Sequence, residues 1–124
     1  MGAVNWLAVG MAALAGGACI YSWYETLMPL REGPGRVGAG AALLAMLVVA
    51  TMMGHNFARV GADRLTEKPW LFWMMPVGFA LWFVVPALVL AQGRLGVGWK
   101  ERALDATGWV LAFAVMGTVF YFFG

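Results

Sequence analysis

The chain has 124 residues, of which 63% are hydrophobic and only 11% are charged. A water-soluble domain of this size exposes too much of its surface to hide so many apolar side chains, so the composition excludes a soluble globule and predicts a protein that lies in lipid. The net charge of +2 is spread over loops, which suits anionic lipid headgroups and excludes the clustered basic face of a nucleic-acid-binding protein.

The first predicted element is an uncleaved membrane helix over residues 4–28. Residues 1–24 carry no charged side chain, whereas a secretory signal peptide begins with Lys or Arg and is shorter. Trp23, Tyr24 and Pro29 indicate the exit of this helix through an interfacial aromatic belt. A short turn rich in Gly and Pro then leads into a second predicted span over residues 37–58.

The third predicted span, residues 69–92, lies in the longest uncharged stretch, 25 residues from Pro69 to Gly93. A helix rises about 1.5 Å per residue and a bilayer core is about 30 Å thick, so this stretch is long enough to cross even when tilted. Pro76 and Pro86 each remove a backbone donor and predict bends in this span. A polar loop from Arg94 to Asp105 then precedes a fourth predicted span over residues 104–123.

These elements predict an all-α fold, a four-helix transmembrane bundle built as one domain from two helical hairpins, with both termini on the same side. Lys and Arg concentrate in loops on the cytoplasmic side of a membrane. The first and third loops hold five such residues against three in the middle loop, which favours termini outside the cytoplasm. The five are Arg31, Arg36, Arg94, Lys100 and Arg102.

Small residues at four-residue spacing predict the faces along which the helices pack. In lipid the hydrophobic effect does not drive helices together, so close backbone approach matters more. We expect the first and second helices to pair along one such row on each. The rows are Ala8, Ala12 and Gly16 on the first helix, and Gly38, Ala42 and Gly54 on the second.

Polar residues near the ends of the spans are the candidate interfacial positions. Glu25 ends the first helix and Asp105 begins the fourth, on the side of the arginine-bearing loops, so we expect an interfacial charge cluster with Glu25 paired to Arg36. Asn5 and His55 lie at the opposite side. His55 is interpreted as an interfacial hydrogen-bonding residue. The alternative is a haem or chlorophyll ligand, with Gly54 leaving room for a flat ring.

No catalytic motif is present, and the single cysteine, Cys19, excludes an internal disulfide and a cysteine-based metal site. No metal or cofactor is therefore predicted, and the protein is not expected to be an enzyme. The aromatic residues of the third and fourth helices predict an apolar face that contacts a partner, a pigment or a lipid tail. This face comprises Trp73, Trp82, Trp109, Phe113 and Phe120.

Four short motifs resemble a known family. They are Asn5–Val9 (NWLAV), the pair Trp23-Tyr24, Gly78–Pro86 (GFALWFVVP) and Asp105–Val110 (DATGWV). In this order they are similar to the bacterial membrane family known as the domain of unknown function number seventeen sixty-one. The resemblance implies four helices in a bacterial inner membrane. It implies no activity and transfers no catalytic residue.

Two functions remain open at this point. In the first, the protein is an accessory or scaffold subunit that docks on a larger membrane complex through helix–helix and lipid contacts. In the second, it is a small transporter or lipid-handling protein that acts as an oligomer. Expected partners are membrane lipid and other membrane subunits, or further copies of the chain. Chain length favours the first function, because four short helices enclose little cavity.

Overall fold

The structure is a computed structural model that describes residues 3–26 and 38–124. Across those ranges 88% of the residues are helical and no strand is present. Four helices are long and apolar enough to cross a membrane. The prediction of an all-α four-helix bundle is confirmed, and the protein is a multi-pass membrane protein.

From residue 39 onward the helices follow one another with short connections. In chain order they are α1 (Trp6–Thr26), α2 (Ala39–Val60), the short α3 (Ala62–Glu67), α4 (Leu71–Phe79), α5 (Val85–Arg94) and α6 (Trp99–Phe123). A π-helical turn, Ala80–Val84, joins α4 to α5. The continuous helix Leu71–Arg94 is called the third span below.

The π-helical turn is explained by the proline that follows it. Pro86 has no N–H to give to the carbonyl of Trp82, so the ordinary helical bond cannot form there. The chain widens instead, and the N–H of Val85 bonds the carbonyl of Ala80, five residues back. The distortion expected at this proline is therefore a local widening that keeps the backbone bonded.

The fourth span begins earlier than the sequence indicated. The predicted polar loop Arg94–Asp105 is wrong, because α6 starts at Trp99 and only residues 95–98 connect it to α5. The reason is a tight helix end: Gly96 has φ 74°, its N–H bonds the carbonyl of Gly93, and the N–H of Val97 bonds the carbonyl of Gln92. This Schellman-type cap stops α5 and lets a new helix begin at once.

Helix α1 lies between α2 and α6, and its two small-residue faces serve different neighbours. A Cβ on Gly17 would lie 3.3 Å from the Cα of Leu43, so α1 meets α2 backbone to backbone there. A Cβ on Gly16 would instead meet the Met116 sulfur of α6 at 2.5 Å. The expected pairing of the Gly16 row with α2 is therefore wrong at Gly16.

The other predicted packing positions divide by burial. Gly54 approaches α1 closely, since a Cβ there would lie 2.6 Å from a methyl of Val9. Gly38 is exposed and precedes α2, and no atom of the described residues would lie within 4 Å of a Cβ placed there, so its predicted packing role stays a prediction. The buried positions are Ala8, Ala12, Gly16, Ala42 and Gly54.

The third span packs mainly on α6, and the two backbones come very close at Gly117. Pro76 has no N–H for the carbonyl of Phe72. That carbonyl points at Gly117, where a Cβ would lie only 2.1 Å from the oxygen. Near the same end, the Phe57 ring of α2 lies 5.0 Å from the rings of both Phe72 and Phe120. The second, third and fourth spans therefore meet near the end of the bundle where the two termini lie.

Polar side chains along the helices bond to the backbone of their own helix. The hydroxyl of Thr51 donates to the carbonyl of Leu47 at 2.8 Å, and Asn56 donates to that of Met52 at 2.8 Å. Thr66, Thr107 and Thr118 use the same four-residue step. These bonds satisfy the side chains without water, as a helix in hydrocarbon requires.

Candidate functional site

A buried carboxylate joins three helices at the end of the bundle opposite the termini. Asp105 of α6 is only 6% exposed. Its Oδ1 accepts a hydrogen bond from the hydroxyl of Tyr24 in α1, and its Oδ2 accepts one from the amide of Gln92 in α5. An ionisable group inside the bundle is costly to hold there, which makes this group the first functional candidate.

Two tryptophans complete this polar cluster. The Trp109 indole donates to the hydroxyl of Tyr24 at 2.9 Å, so a chain of bonds runs from Trp109 through Tyr24 to Asp105. The Trp23 indole donates to the carbonyl of Leu104 at 2.9 Å. It lies over Gly108, where a Cβ would be 2.5 Å from the indole ring. Close packing of α1 on α6 thus fixes the hydroxyl that reaches the carboxylate.

One atom of this cluster has no partner. The carbonyl oxygen Oε1 of Gln92 is buried and accepts no hydrogen bond from the part of the chain that the structure describes. A buried unpaired acceptor costs roughly 1–3 kcal/mol. Both carboxylate oxygens of Asp105 are already engaged, so the arrangement holds α1, α5 and α6 together.

The expected interfacial charge cluster differs from what is observed. Asp105 bonds to Tyr24 and Gln92 because the early start of α6 carries it about 9 Å along the helix beyond Trp99. Arg102 points elsewhere: its Nε donates to the carbonyl of Val97 at 2.8 Å and its guanidinium lies 4.3 Å from the centre of the Trp99 ring. Among the described residues, the donors to Asp105 are neutral and no arginine bonds it.

The predicted pair of Glu25 and Arg36 stays a prediction. Glu25 is exposed near the end of α1. Arg36 lies outside the described residues, so the structure gives no geometry for the pair.

At the terminal end, Asn5 binds two helix ends at once. Its Oδ1 accepts the N–H of Ala8 at 3.1 Å, which caps the start of α1, and its Nδ2 donates to the carbonyl of Phe123 at 2.9 Å, which ends α6. A capping asparagine satisfies one of the unpaired N–H groups at a helix start. This residue therefore holds the two termini together on one side of the membrane.

Replacing Asn5 separates these two roles. We expect Asn5→Asp to keep the cap and lose the bond to Phe123, whereas Asn5→Ala loses both and destabilises the bundle by about 1 kcal/mol. The midpoint of unfolding, measured as SDS is titrated into mild-detergent micelles, should fall in the order wild type, Asn5→Asp, Asn5→Ala. Equal midpoints for wild type and Asn5→Ala would contradict the double role.

His55 is tied to its own helix and to an aromatic ring. Its Nδ1 donates to the carbonyl of Thr51 at 2.8 Å, and its ring lies edge-on to Trp6 with centroids 5.7 Å apart. Gly54 does not open a seat for a flat ring, because its Cβ direction is filled by Val9 and Val4 at 2.6 and 3.3 Å. The geometry matches the interfacial hydrogen-bonding role and corrects the expectation about Gly54.

The predicted aromatic face is not one surface. Phe113 and Phe120 are each 2% exposed, so their place in an outward face is wrong. Because α6 is apolar on all sides, the sequence does not indicate which side packs against the other helices. Trp73 donates a hydrogen bond to the Thr118 hydroxyl at 2.8 Å, and Trp109 donates one to the Tyr24 hydroxyl in the polar cluster around Asp105. Trp82 alone of the five is exposed, at 78%.

Sequence reasoning missed the residues that hold Asp105. Tyr24 was interpreted only as a belt residue. Gln92 was not singled out, although it is the one side chain with an amide or hydroxyl between Pro69 and Gly93. A single carboxamide in an apolar span needs a hydrogen-bond partner on another helix. The position of Gln92 in an otherwise apolar span could therefore have indicated an interhelical bond.

Comparisons with known proteins add no relative: no family model, no curated protein and no solved structure matches the chain.

Proposed function

We propose that the protein is a non-enzymatic accessory subunit of a larger membrane complex, docked through the outward face of the third span. The observation that carries the proposal is the position of Trp82. It is the twelfth of the 24 residues of that span, about 17 Å from either end, and it faces outward.

A tryptophan at that depth has an unusual environment if only lipid surrounds it. Tryptophan concentrates at the membrane–water interfaces because its indole N–H needs an acceptor. The indole of Trp82 has no acceptor in the described part of the chain. A neighbouring membrane subunit with a backbone or side-chain oxygen at mid-depth would satisfy this N–H.

The surroundings of Trp82 support a docking role. Phe83 and Leu81 beside it are 67% and 51% exposed, and α5 has no buried residue. The same segment is the π-helical turn, a distortion that is often found at functional sites. The bundle therefore leaves its least regular segment, which carries the aromatic rings of Trp82 and Phe83, uncovered at mid-membrane.

Co-purification in mild detergent tests this proposal. We expect a second polypeptide to co-elute at fixed stoichiometry with the wild type, to be lost with Trp82→Leu and to be weakened with Trp82→Phe, which keeps the ring and removes the N–H. Leu44, exposed on α2, provides the matched control, and Leu44→Ala should retain the partner. Elution of the wild type without a second polypeptide would contradict the accessory role.

A small oligomeric transporter or lipid-handling protein is the second candidate function, and the buried carboxylate of Asp105 favours it. In that case the wild type elutes as a homo-oligomer whose thermal stability depends on added solute, and Asp105→Asn removes the solute effect. If the accessory role is right, Asp105→Asn leaves the co-eluting partner in place.

The proposal also includes a location and an orientation. The resemblance to the bacterial family supports the bacterial inner membrane. The excess of Lys and Arg in the first and third loops supports termini outside the cytoplasm.

A further inference from the structure

A groove of about 650 Å³ opens at the terminal end of the bundle. It lies between the short helix α3 and the ends of α2, α4 and α6. Small-molecule sites commonly have volumes of roughly 300–1,000 Å³. Because α1 begins and α2 and α6 end at this level, the groove lies at the depth of the lipid headgroups.

The floor of this groove is hydrocarbon. It is formed by the rings of Phe57, Phe72 and Phe120 and by the side chain of Leu65. Two polar lining residues already donate to backbone carbonyls: Asn5 donates one of its two amide N–H groups to Phe123, and the Thr66 hydroxyl donates to Ala62. A polar ligand would therefore find few donors inside, whereas an acyl chain would lose nothing on entering.

Helix α3 gives the groove an amphipathic wall. Ala62, Leu65 and Thr66 line it, at the spacing of one helical face, while Asp63 and Glu67 are exposed. A short helix with one apolar and one charged face lies in the plane of the membrane interface. Its apolar side therefore covers the groove and its charged side meets the headgroups.

The rim of the groove carries charged residues of both signs, with one net positive charge. Arg59, Arg64 and Lys68 are exposed, and each is the chain neighbour of a lining residue. Asp63 and Glu67 offset two of these three charges, which leaves one net positive charge on the connection. This balance matches the single negative charge of a phosphodiester headgroup.

We infer that this groove binds an anionic phospholipid, with one acyl chain against the aromatic floor and the phosphate at the basic rim. The site does not depend on docking of the third span, because Trp82 lies about 15 Å along the helix from Phe72. The proposed accessory function requires only contact with bilayer lipid in general, whereas this groove would select one class of lipid.

Native mass spectrometry of the detergent-solubilised protein tests the site with phosphatidylglycerol and phosphatidylcholine of identical chains. We expect the wild type to retain phosphatidylglycerol preferentially. Lys68→Gln should lower that retention about fivefold, the effect of about 1 kcal/mol per basic residue near anionic lipid. Lys100→Gln, which removes an exposed lysine from the other side of the bundle, should leave retention unchanged.

A second pair of variants tests the acyl-chain part. Ala62→Phe fills the groove and should abolish retention, whereas Ala45→Phe places the same ring on the exposed side of α2 and should not. Equal retention of the two lipids by the wild type would overturn the inference. So would equal behaviour of Lys68→Gln and Lys100→Gln, or undiminished retention by Ala62→Phe.

Discussion

Replacing Gly117 with alanine is expected to separate the third span from α6. The new methyl group would lie 2.1 Å from the carbonyl oxygen of Phe72 and 3.2 Å from Pro76, far inside van der Waals contact. Overpacking of a close contact costs about 1–3 kcal/mol. The third span packs mainly on α6, so this loss falls on the contact that holds it in place.

The size of this effect follows from the kind of atom that must move. The Phe72 oxygen belongs to helical backbone, and Pro76 on the next turn removes the N–H that would otherwise hold it. Because this oxygen is part of the helical backbone, it can move away only if the helix itself shifts. At Gly16 an added methyl meets the Met116 side chain, with Sδ at 2.5 Å and Cγ at 2.7 Å, and a flexible side chain can shift at lower cost than helical backbone.

Three glycine-to-alanine variants make this prediction measurable. During titration with SDS in mild-detergent micelles, Gly117→Ala should lower the unfolding midpoint most and Gly16→Ala less. Gly78→Ala, in the same span as Phe72 but with nothing within 4 Å, should match or exceed the wild type because alanine favours helix. A Gly117→Ala midpoint equal to that of Gly78→Ala would show that the close contact is not made.

The architecture was predictable because a bilayer imposes it. An uncharged run of about 20 residues has few ways to satisfy its backbone in hydrocarbon other than a spanning helix, so the four spans follow from the positions of the charges. The charges do not indicate, however, which neighbouring helix each helix face packs against. On α1, Gly16 and Gly17 are both small and adjacent, yet one meets α6 and the other α2. Composition alone cannot separate two such neighbouring rows.

The polar cluster was misplaced for a related reason. Asp105 was treated as the edge of a loop because Lys100, Glu101 and Arg102 precede it, but those three residues form the first turn of α6. Charged residues at a helix start can reach water while the helix continues inward. The depth of Asp105 depended on the cap at Gly96, and a glycine in a loop does not reveal in advance that the next helix starts three residues later.

Removing the Asp105 carboxylate is expected to loosen the end of the bundle opposite the termini. Asp105→Ala would leave the Tyr24 hydroxyl and the Gln92 amide without their acceptors in a buried site. Interhelical hydrogen bonds in membrane proteins are worth about 0.6 kcal/mol on average and up to about 1.7. Two lost bonds therefore predict a destabilisation of roughly 1–3 kcal/mol.

The amide variant separates hydrogen bonding from charge at this position. Asp105→Asn keeps an oxygen for Tyr24 and can donate its own N–H to the Gln92 Oε1 atom that lacks a partner, once the Gln92 amide has turned over. We therefore expect Asp105→Asn to unfold close to the wild type in the SDS titration and Asp105→Ala well below it. If charge were the stabilising feature, both variants would lose the same amount. In a double-mutant cycle, Tyr24→Phe should cost less in the Asp105→Ala background than in the wild type, since the shared bond is already gone there.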